Sequence, residues 1–316
     1  MKLRYRRSIQ FLFLILALLT LLTGCVSSGG DGGKDREPID VTPVYRAPVA
    51  SGVDVYESGV LSVDISDRQK GYINVRYFGN SSQVVLSLSS GNEAVATNVY
   101  NYFIVASDQY NAFPLSFGDG TYALAVFEHL EGDSYVQVFE LSFDVAIAEE
   151  FGPFLYPNWY VSYTADSEVF ALAGTIAQGS YSELEVVEKV YNYVVENITY
   201  DESMPYTVQS TYTPSLDYVL QIRTGICLDY ASVMTAMLRA QDIPTKLVFG
   251  YVEGNIYHAW IDVYVDEVGW VNGVIRFDGT SWIRMDPTFA SSQGSKNKDL
   301  AEFVGSGSNY QSMHYF

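Results

Sequence analysis

Short runs in which apolar and polar residues alternate fill the chain from residue 49 to residue 150. Glycine next to asparagine or aspartate separates successive runs. A period of two is typical of strands that bury one face, and turn residues at such close spacing indicate antiparallel pairing. The pattern therefore predicts an all-β, sandwich-like domain over residues 49–150. The clearest runs are 72–77, 84–88, 122–126 and 136–141.

The pattern changes after residue 150. Residues 151–160 are an irregular segment of aromatic residues and proline, and we interpret them as the connector to a second domain over residues 151–316. A helical repeat follows, in which apolar residues from Leu184 to Val194 form one stripe. Ser180 and Glu183 are the predicted capping pair at the start of this helix.

A second helical segment follows a break at Gly225. Apolar residues recur at helical spacing after it, which predicts an amphipathic helix from Cys227 to about Arg239. Three strands are predicted next, over residues 246–252, over residues 258–265 and up to Asp286.

Three side chains in this region have the chemistry of a nucleophilic site. Cys227 lies at the predicted helix N-terminus, where unpaired N–H groups favour a thiolate, although a buried core cysteine is the alternative. His258 begins a strand and has the chemistry of a general base, while a structural role is the usual one for a lone histidine. Asp286 is a carboxylate at the end of a predicted strand, where it has the chemistry to orient the imidazole. Because it precedes a proline, a residue of a turn is the alternative.

The first 25 residues have the pattern of an export signal. A basic segment precedes an apolar run from Phe11 to Leu22, and this run is shorter than the roughly 20 residues that a membrane-spanning helix needs. Leu22 to Cys25 resembles the lipobox of bacterial lipoproteins, which implies lipid attachment at Cys25 after removal of residues 1–24. An ordinary signal peptide with a chance cysteine is the alternative. Residues 25–48 are then expected to be a flexible tether.

Composition excludes several classes of function. The chain has 316 residues, with 37 acidic against 18 basic side chains and a formal net charge of −19, so we expect no nucleic-acid binding. The only two cysteines are Cys25 and Cys227, and lipidation of Cys25 leaves no intramolecular disulfide. Three histidines are few for a histidine-built zinc site, so we expect no metal.

Three linked motifs carry a resemblance to a known family. The segment Thr224 to Ala231 around Cys227, the sequence His258-Ala259-Trp260 and the sequence Met285 to Thr288 around Asp286 together resemble the transglutaminase-like superfamily. The resemblance covers about residues 166–289 and implies an α+β, papain-like fold. It also implies a Cys227–His258–Asp286 triad without a cofactor.

The resemblance implies thioester acyl transfer at an amide, with a polypeptide of the cell envelope as the substrate. Bacterial members of the superfamily are thought to be hydrolases more often than cross-linkers, so peptide or isopeptide hydrolysis ranks first. Transfer of a glutamine acyl group to an amine is the alternative. A non-catalytic surface binding module that retains the fold is the alternative from another class. The sequence therefore predicts a cysteine enzyme held at the outer face of a membrane by its N-terminal lipid.

Overall fold

Strands joined by turns account for most of the described residues between 55 and 145. Their side chains alternate as predicted: Val84, Leu86 and Leu88 are buried, and the residues between them are half-buried. The strands are β1 (Val55–Glu57), β2 (Leu61–Asp64), β3 (Tyr72–Tyr77), β4 (Val84–Ser90), β5 (Asn98–Ile104), β6 (Asn111–Pro114), β7 (Gly120–His129) and β8 (Tyr135–Val145). The computed structural model describes residues 37–91, 98–209, 211–252, 255–266, 269–272, 275–277, 282–284 and 310–316.

These strands form two antiparallel sheets, in the orders β1-β2-β3-β6 and β5-β4-β7-β8. The sheets contact each other, since the rings of Tyr102 in β5 and Phe113 in β6 are 4.9 Å apart. The Tyr77 hydroxyl in β3 also donates to Glu128 Oε1 in β7 at 2.7 Å. The predicted strands are therefore present, while an independent domain that ends at residue 150 stays a prediction.

The aromatic connector after residue 150 is buried. Tyr160 is 8% exposed, and its ring lies within 6 Å of the rings of Tyr102, Phe249 and Phe316. It therefore joins the strand-rich first half to the second half of the chain, and residues from Ile39 onward form one compact unit.

Part of the predicted tether is packed as well. The Ile39 N–H donates to the Ser180 carbonyl, and the Val44 N–H donates to the Ala240 carbonyl, both at 2.8 Å. From Ile39 onward this segment therefore lies along the folded unit, whereas residues 25–36 lie outside the described residues.

Four described helices follow: α1 (Glu168–Ala177), α2 (Glu183–Asn197), α3 (Leu216–Ile222) and α4 (Cys227–Arg239). The predicted stripe of α2 is buried except for Leu184, which is half-buried, and the predicted cap is wrong by two residues. The N-cap is Ser182, whose hydroxyl accepts from the Glu185 N–H at 3.2 Å. Ser180 is instead buried, and its hydroxyl donates to the Ala177 carbonyl and accepts from Lys189 Nζ in α2 rather than from an N–H of the first turn.

The described strands of the second half are β9 (Thr199–Tyr200), β10 (Thr224–Gly225), β11 (Thr245–Val252), β12 (Ile256–Val265), β13 (Gly269–Asn272), β14 (Ile275–Phe277), β15 (Trp282–Arg284) and β16 (Gln311–Tyr315). Four of them form an antiparallel sheet in the order β13-β12-β11-β16, against which α4 packs. Strands β11 and β12 match two predicted strands, whereas the sequence pattern does not predict β16. In the part of the chain that the structure describes, no helix is long and apolar enough to cross a membrane.

Candidate active site

Cys227 is the first residue of α4, as the sequence pattern predicts. The residue before it, Ile226, has an extended conformation and is the N-cap. The Cys227 thiol is half-buried and forms no disulfide. N–H groups in the first turn of a helix lack intrahelical acceptors and favour an anion placed beside them. Cys227 therefore lies at the N-terminal end of a helix and is partly exposed.

The turn before Cys227 is held by close packing. Strands β9 and β10 form a parallel pair there, and the Tyr230 hydroxyl donates to the Ile198 carbonyl at 2.6 Å. Gly225 lies so close to the helix that a Cβ atom on it would be 2.6 Å from the Cβ of Asp229. Only glycine allows this approach without displacing the helix start.

Asp229 is fully buried in the first turn of α4. Its Oδ2 accepts from the Ile226 N–H at 2.7 Å, and its Oδ1 accepts from the Tyr212 hydroxyl at 2.5 Å. Burial raises the pKa of Asp229, while both hydrogen bonds favour its ionised form and partly offset that rise. Burial, together with the bond to Asp229, also raises the pKa of Tyr212. No sequence pattern indicates a role for Tyr212, which lies in a loop rich in threonine and tyrosine.

His258 lies in β12, where it is paired with Gly250 of β11. Its side chain is 6% exposed, and β12 packs against α4. The structure thus brings together the two elements that carry Cys227 and His258.

Tyr257, the residue before His258, is a neighbour of the thiol that sequence reasoning missed. Burial raises the pKa of Tyr257 to about 12, and smaller contributions come from Tyr251 and from Cys227. The Tyr257 residue as a whole is 53% exposed. An aromatic residue adjacent to a candidate histidine was the available sequence signal.

Two predicted functional residues cannot be placed. Asp286 and Cys25 lie outside the described residues, although β15 ends at Arg284, close to the predicted strand end at Asp286. No group of three or more histidine, cysteine, aspartate or glutamate side chains able to hold a metal occurs in the described ranges. The triad and the lipidation site therefore stay predictions.

Comparison with known proteins finds a family match within the second half of the chain. Residues 171–287 match the family model of the Transglutaminase-like superfamily. The resemblance inferred from the three motifs is thereby confirmed, and all three predicted triad residues lie inside the matched segment. This transglutaminase-like domain, with its mixture of helices and strands, supports a cysteine-dependent enzyme at the level of the superfamily.

Individual relatives cover only parts of the chain. The uncharacterized protein YebA of Bacillus subtilis is 27% identical over 142 residues, which cover 39% of this chain and 19% of that protein. A protein-glutamine gamma-glutamyltransferase of Pseudomonas aeruginosa is 32% identical over 69 residues, which cover 18% of this chain and 10% of that protein. The matched part of the chain thus spans a fifth or less of the length of these two relatives.

Solved structures resemble the chain more loosely. One, from Cytophaga hutchinsonii and proposed to be a cysteine protease, is 14% identical with a TM-score of 0.38, covering 83% of this chain and 78% of that one. Red sea bream transglutaminase is 13% identical with a TM-score of 0.33, covering 74% of this chain and 53% of the fish enzyme.

Proposed function

We propose that this protein is a cysteine enzyme that acts on amide bonds through a thioester on Cys227. The observation that carries the proposal is the position of Cys227, a half-buried thiol at the first residue of α4. That position lies inside the segment that matches the transglutaminase-like superfamily. A cysteine needed only for packing gains nothing from a helix N-terminus, whereas a nucleophile gains a stabilised thiolate.

In the proposed reaction, the thiolate of Cys227 attacks the carbonyl carbon of an amide. The carbon–nitrogen bond breaks, and the amine leaves with a proton from His258, which gives a thioester. Asp286 accepts the other imidazole N–H and fixes the tautomer of His258. His258 then takes a proton from water, which attacks the thioester and releases the acid and Cys227. The Cys227 N–H at the first position of α4 is the donor we propose for the oxyanion.

Hydrolysis of a peptide or isopeptide bond is our first choice for the overall reaction. Transfer to a primary amine is the second, and the name of the Pseudomonas relative, a glutamine γ-glutamyltransferase, favours it. Both reactions pass through the same acyl-enzyme and differ only in whether water or an amine attacks it. The substrate in either case is a polypeptide.

The N-terminal sequence supports a location for this activity. We propose that the protein is exported and held at a membrane by lipid on Cys25, because a basic segment, a short apolar run and a lipobox-like end occur in that order. Metabolic labelling with palmitate should mark the wild-type protein and not the Cys25→Ala variant. Membrane release of wild-type protein without detergent, together with an unlabelled Cys25, would overturn this part.

The reaction itself is tested with glutamine-containing peptides. Wild-type protein and Cys227→Ala are incubated with the peptides in water alone and with an added primary amine, and the products are identified by mass spectrometry. Cleaved or deamidated peptide supports hydrolysis, and an amine adduct supports transfer. If neither product forms and iodoacetamide labels Cys227 no faster than a free cysteine, the protein is a binding module that retains the fold.

A further inference from the structure

One residue binds both backbone groups of the position before Cys227. The Asp229 carboxylate accepts from the Ile226 N–H at 2.7 Å, and the Asp229 N–H donates to the Ile226 carbonyl at 2.9 Å. The carbonyl of Ile226 belongs to the peptide group whose N–H is that of Cys227. Fixing Ile226 from both sides therefore sets the direction in which the Cys227 N–H and side chain point.

We infer that Asp229 is a positioning residue for Cys227, with Tyr212 as its partner. The inference rests on the proposed function in so far as Cys227 is the nucleophile. Asp229 touches no reacting atom. It acts by holding the first turn of α4 in the conformation that presents the thiol beside the unpaired N–H groups.

The burial of Asp229 distinguishes it from an ordinary helix cap. Asp217 also accepts from two backbone N–H groups at a helix start, those of Glu168 and Val169, both at 3.0 Å. Asp217 is half-buried, whereas Asp229 is fully buried. Burying a carboxylate costs free energy unless its oxygens are bound, so a fully buried Asp229 needs a second partner besides the Ile226 N–H.

Tyr212 supplies that second connection. It belongs to the segment before α3, and its hydroxyl donates to the Asp229 oxygen that does not bind Ile226. The two oxygens of one carboxylate thus join this segment to the turn that carries Cys227. The Asp229 side chain also packs against Gly225, because a Cβ atom on that glycine would be within 3 Å of it.

The test uses the full chain and needs no substrate. The rate of iodoacetamide alkylation at Cys227 is measured well below the unfolding temperature for wild type, Asp229→Ala, Asp229→Asn and the control Asp217→Ala. Hydrogen exchange of the Ile226 amide is followed in the same proteins. We expect Asp229→Ala to alkylate about tenfold more slowly, because the N–H groups that favour the thiolate are no longer fixed beside it.

The conservative variant separates positioning from charge. The amide of Asp229→Asn can accept from the Ile226 N–H and donate to the Tyr212 oxygen, so we expect its alkylation rate to stay within about threefold of wild type. Exchange of the Ile226 amide should accelerate in Asp229→Ala and stay slow in Asp229→Asn. Asp217→Ala should lose stability while keeping the wild-type alkylation rate.

An alkylation rate in Asp229→Ala that equals or exceeds that of Asp217→Ala overturns the inference. If Asp229→Ala does not fold, Tyr212→Phe decides, with Tyr77→Phe as its control because Tyr77 also donates to a carboxylate. Slower alkylation in Tyr212→Phe alone supports the inference, and equal rates overturn it. These results stand even if no acyl transfer is found, in which case the proposed function fails separately.

Discussion

The two ends of α4 carry buried charges of opposite sign, and they differ in what those charges bind. Asp229 at the N-terminal end binds Ile226 nearby and Tyr212. Arg239 at the C-terminal end, also fully buried, donates to the carbonyls of Thr245, Tyr156 and Phe316. Each charge complements the helix dipole at its end. Only the N-terminal end leaves a thiol in partial contact with solvent.

The N-terminal end of α4 carries the candidate nucleophile, whereas the C-terminal end connects distant parts of the fold. Arg239 joins the connector, β11 and the residue after β16, which are far apart in the chain. Burial lowers the pKa of Arg239 to about 10, so it is still protonated at neutral pH. The C-terminal end of α4 thus connects three distant segments of the fold. Its N-terminal end forms a turn that is held by nearby residues and leaves Cys227 partly exposed.

Cys227→Ala should produce the largest change in activity. Without the nucleophile, acyl transfer should fall by at least about a thousandfold, because no thioester forms. The free energy of unfolding should change by about 1 kcal/mol or less, since the thiol is half-buried. Product formation by mass spectrometry and urea denaturation measure the two effects. Turnover at the wild-type rate in Cys227→Ala would contradict the proposal, because the N-terminal end of α4 would then not hold the nucleophile.

His258→Ala should reduce turnover by about a hundredfold or more, because proton transfer by a positioned side chain contributes about that much. His129→Ala is the control, since its ring nitrogen contacts only the Gly132 carbonyl in a turn at 2.7 Å. The same peptide assay measures both variants. Equal activities would remove His258 from the proposed site and leave Cys227 without its base.

Arg239→Met should show that the other end of α4 serves the fold. Three buried carbonyl groups lose their donor, and we expect the free energy of unfolding to fall by about 3 kcal/mol or more. The control is Arg46→Met, because Arg46 pairs with Asp242 at an exposed site, where about 0–1 kcal/mol is expected. Urea denaturation measures both. A small effect at Arg239 would contradict its role as a junction.

The sequence predicts regular elements well because periodicity reports burial. The apolar repeat after Gly225 predicts α4 with its observed bounds, and alternation predicts β11 and β12 to within about two residues. The N-cap of α2 is harder to predict from sequence, because Ser180 and Ser182 both precede the helix. Packing decides which of the two hydroxyls accepts from an N–H of the first turn. Strand β16 has no distinct pattern of its own, and its place is set by pairing with β11.

The candidate site was predictable only in part. Cys227 and His258 are conspicuous because their chemistry is rare in this chain. Tyr212 and Arg239 are not, since a tyrosine in a polar loop and an arginine at a helix end both resemble ordinary surface residues. Their roles depend on contacts with residues distant in sequence, and no local pattern encodes such contacts.

Asp229→Asn should give the smallest effect, a change in how stability depends on pH. Burial raises the pKa of Asp229, so the folded protein holds a proton there more tightly than the unfolded chain does. The stability that this group contributes is present below its ordinary pKa of 3.8 and is lost as pH rises through the raised value. The variant cannot titrate, so the excess stability of wild type over variant should grow as pH falls into the acid range.

Asp201→Asn provides a control of opposite sign. Hydrogen bonds from Ser203 and Met204 lower the pKa of Asp201, so its contribution is present above pH 3.8 and is lost as pH falls. Urea denaturation of wild type and both variants at several pH values should therefore give difference curves of opposite slope. If both difference curves had the same slope, the buried carboxylate of Asp229 would titrate like the exposed one of Asp201. Burial would then have no effect on the titration of the charged group at the N-terminal end of α4.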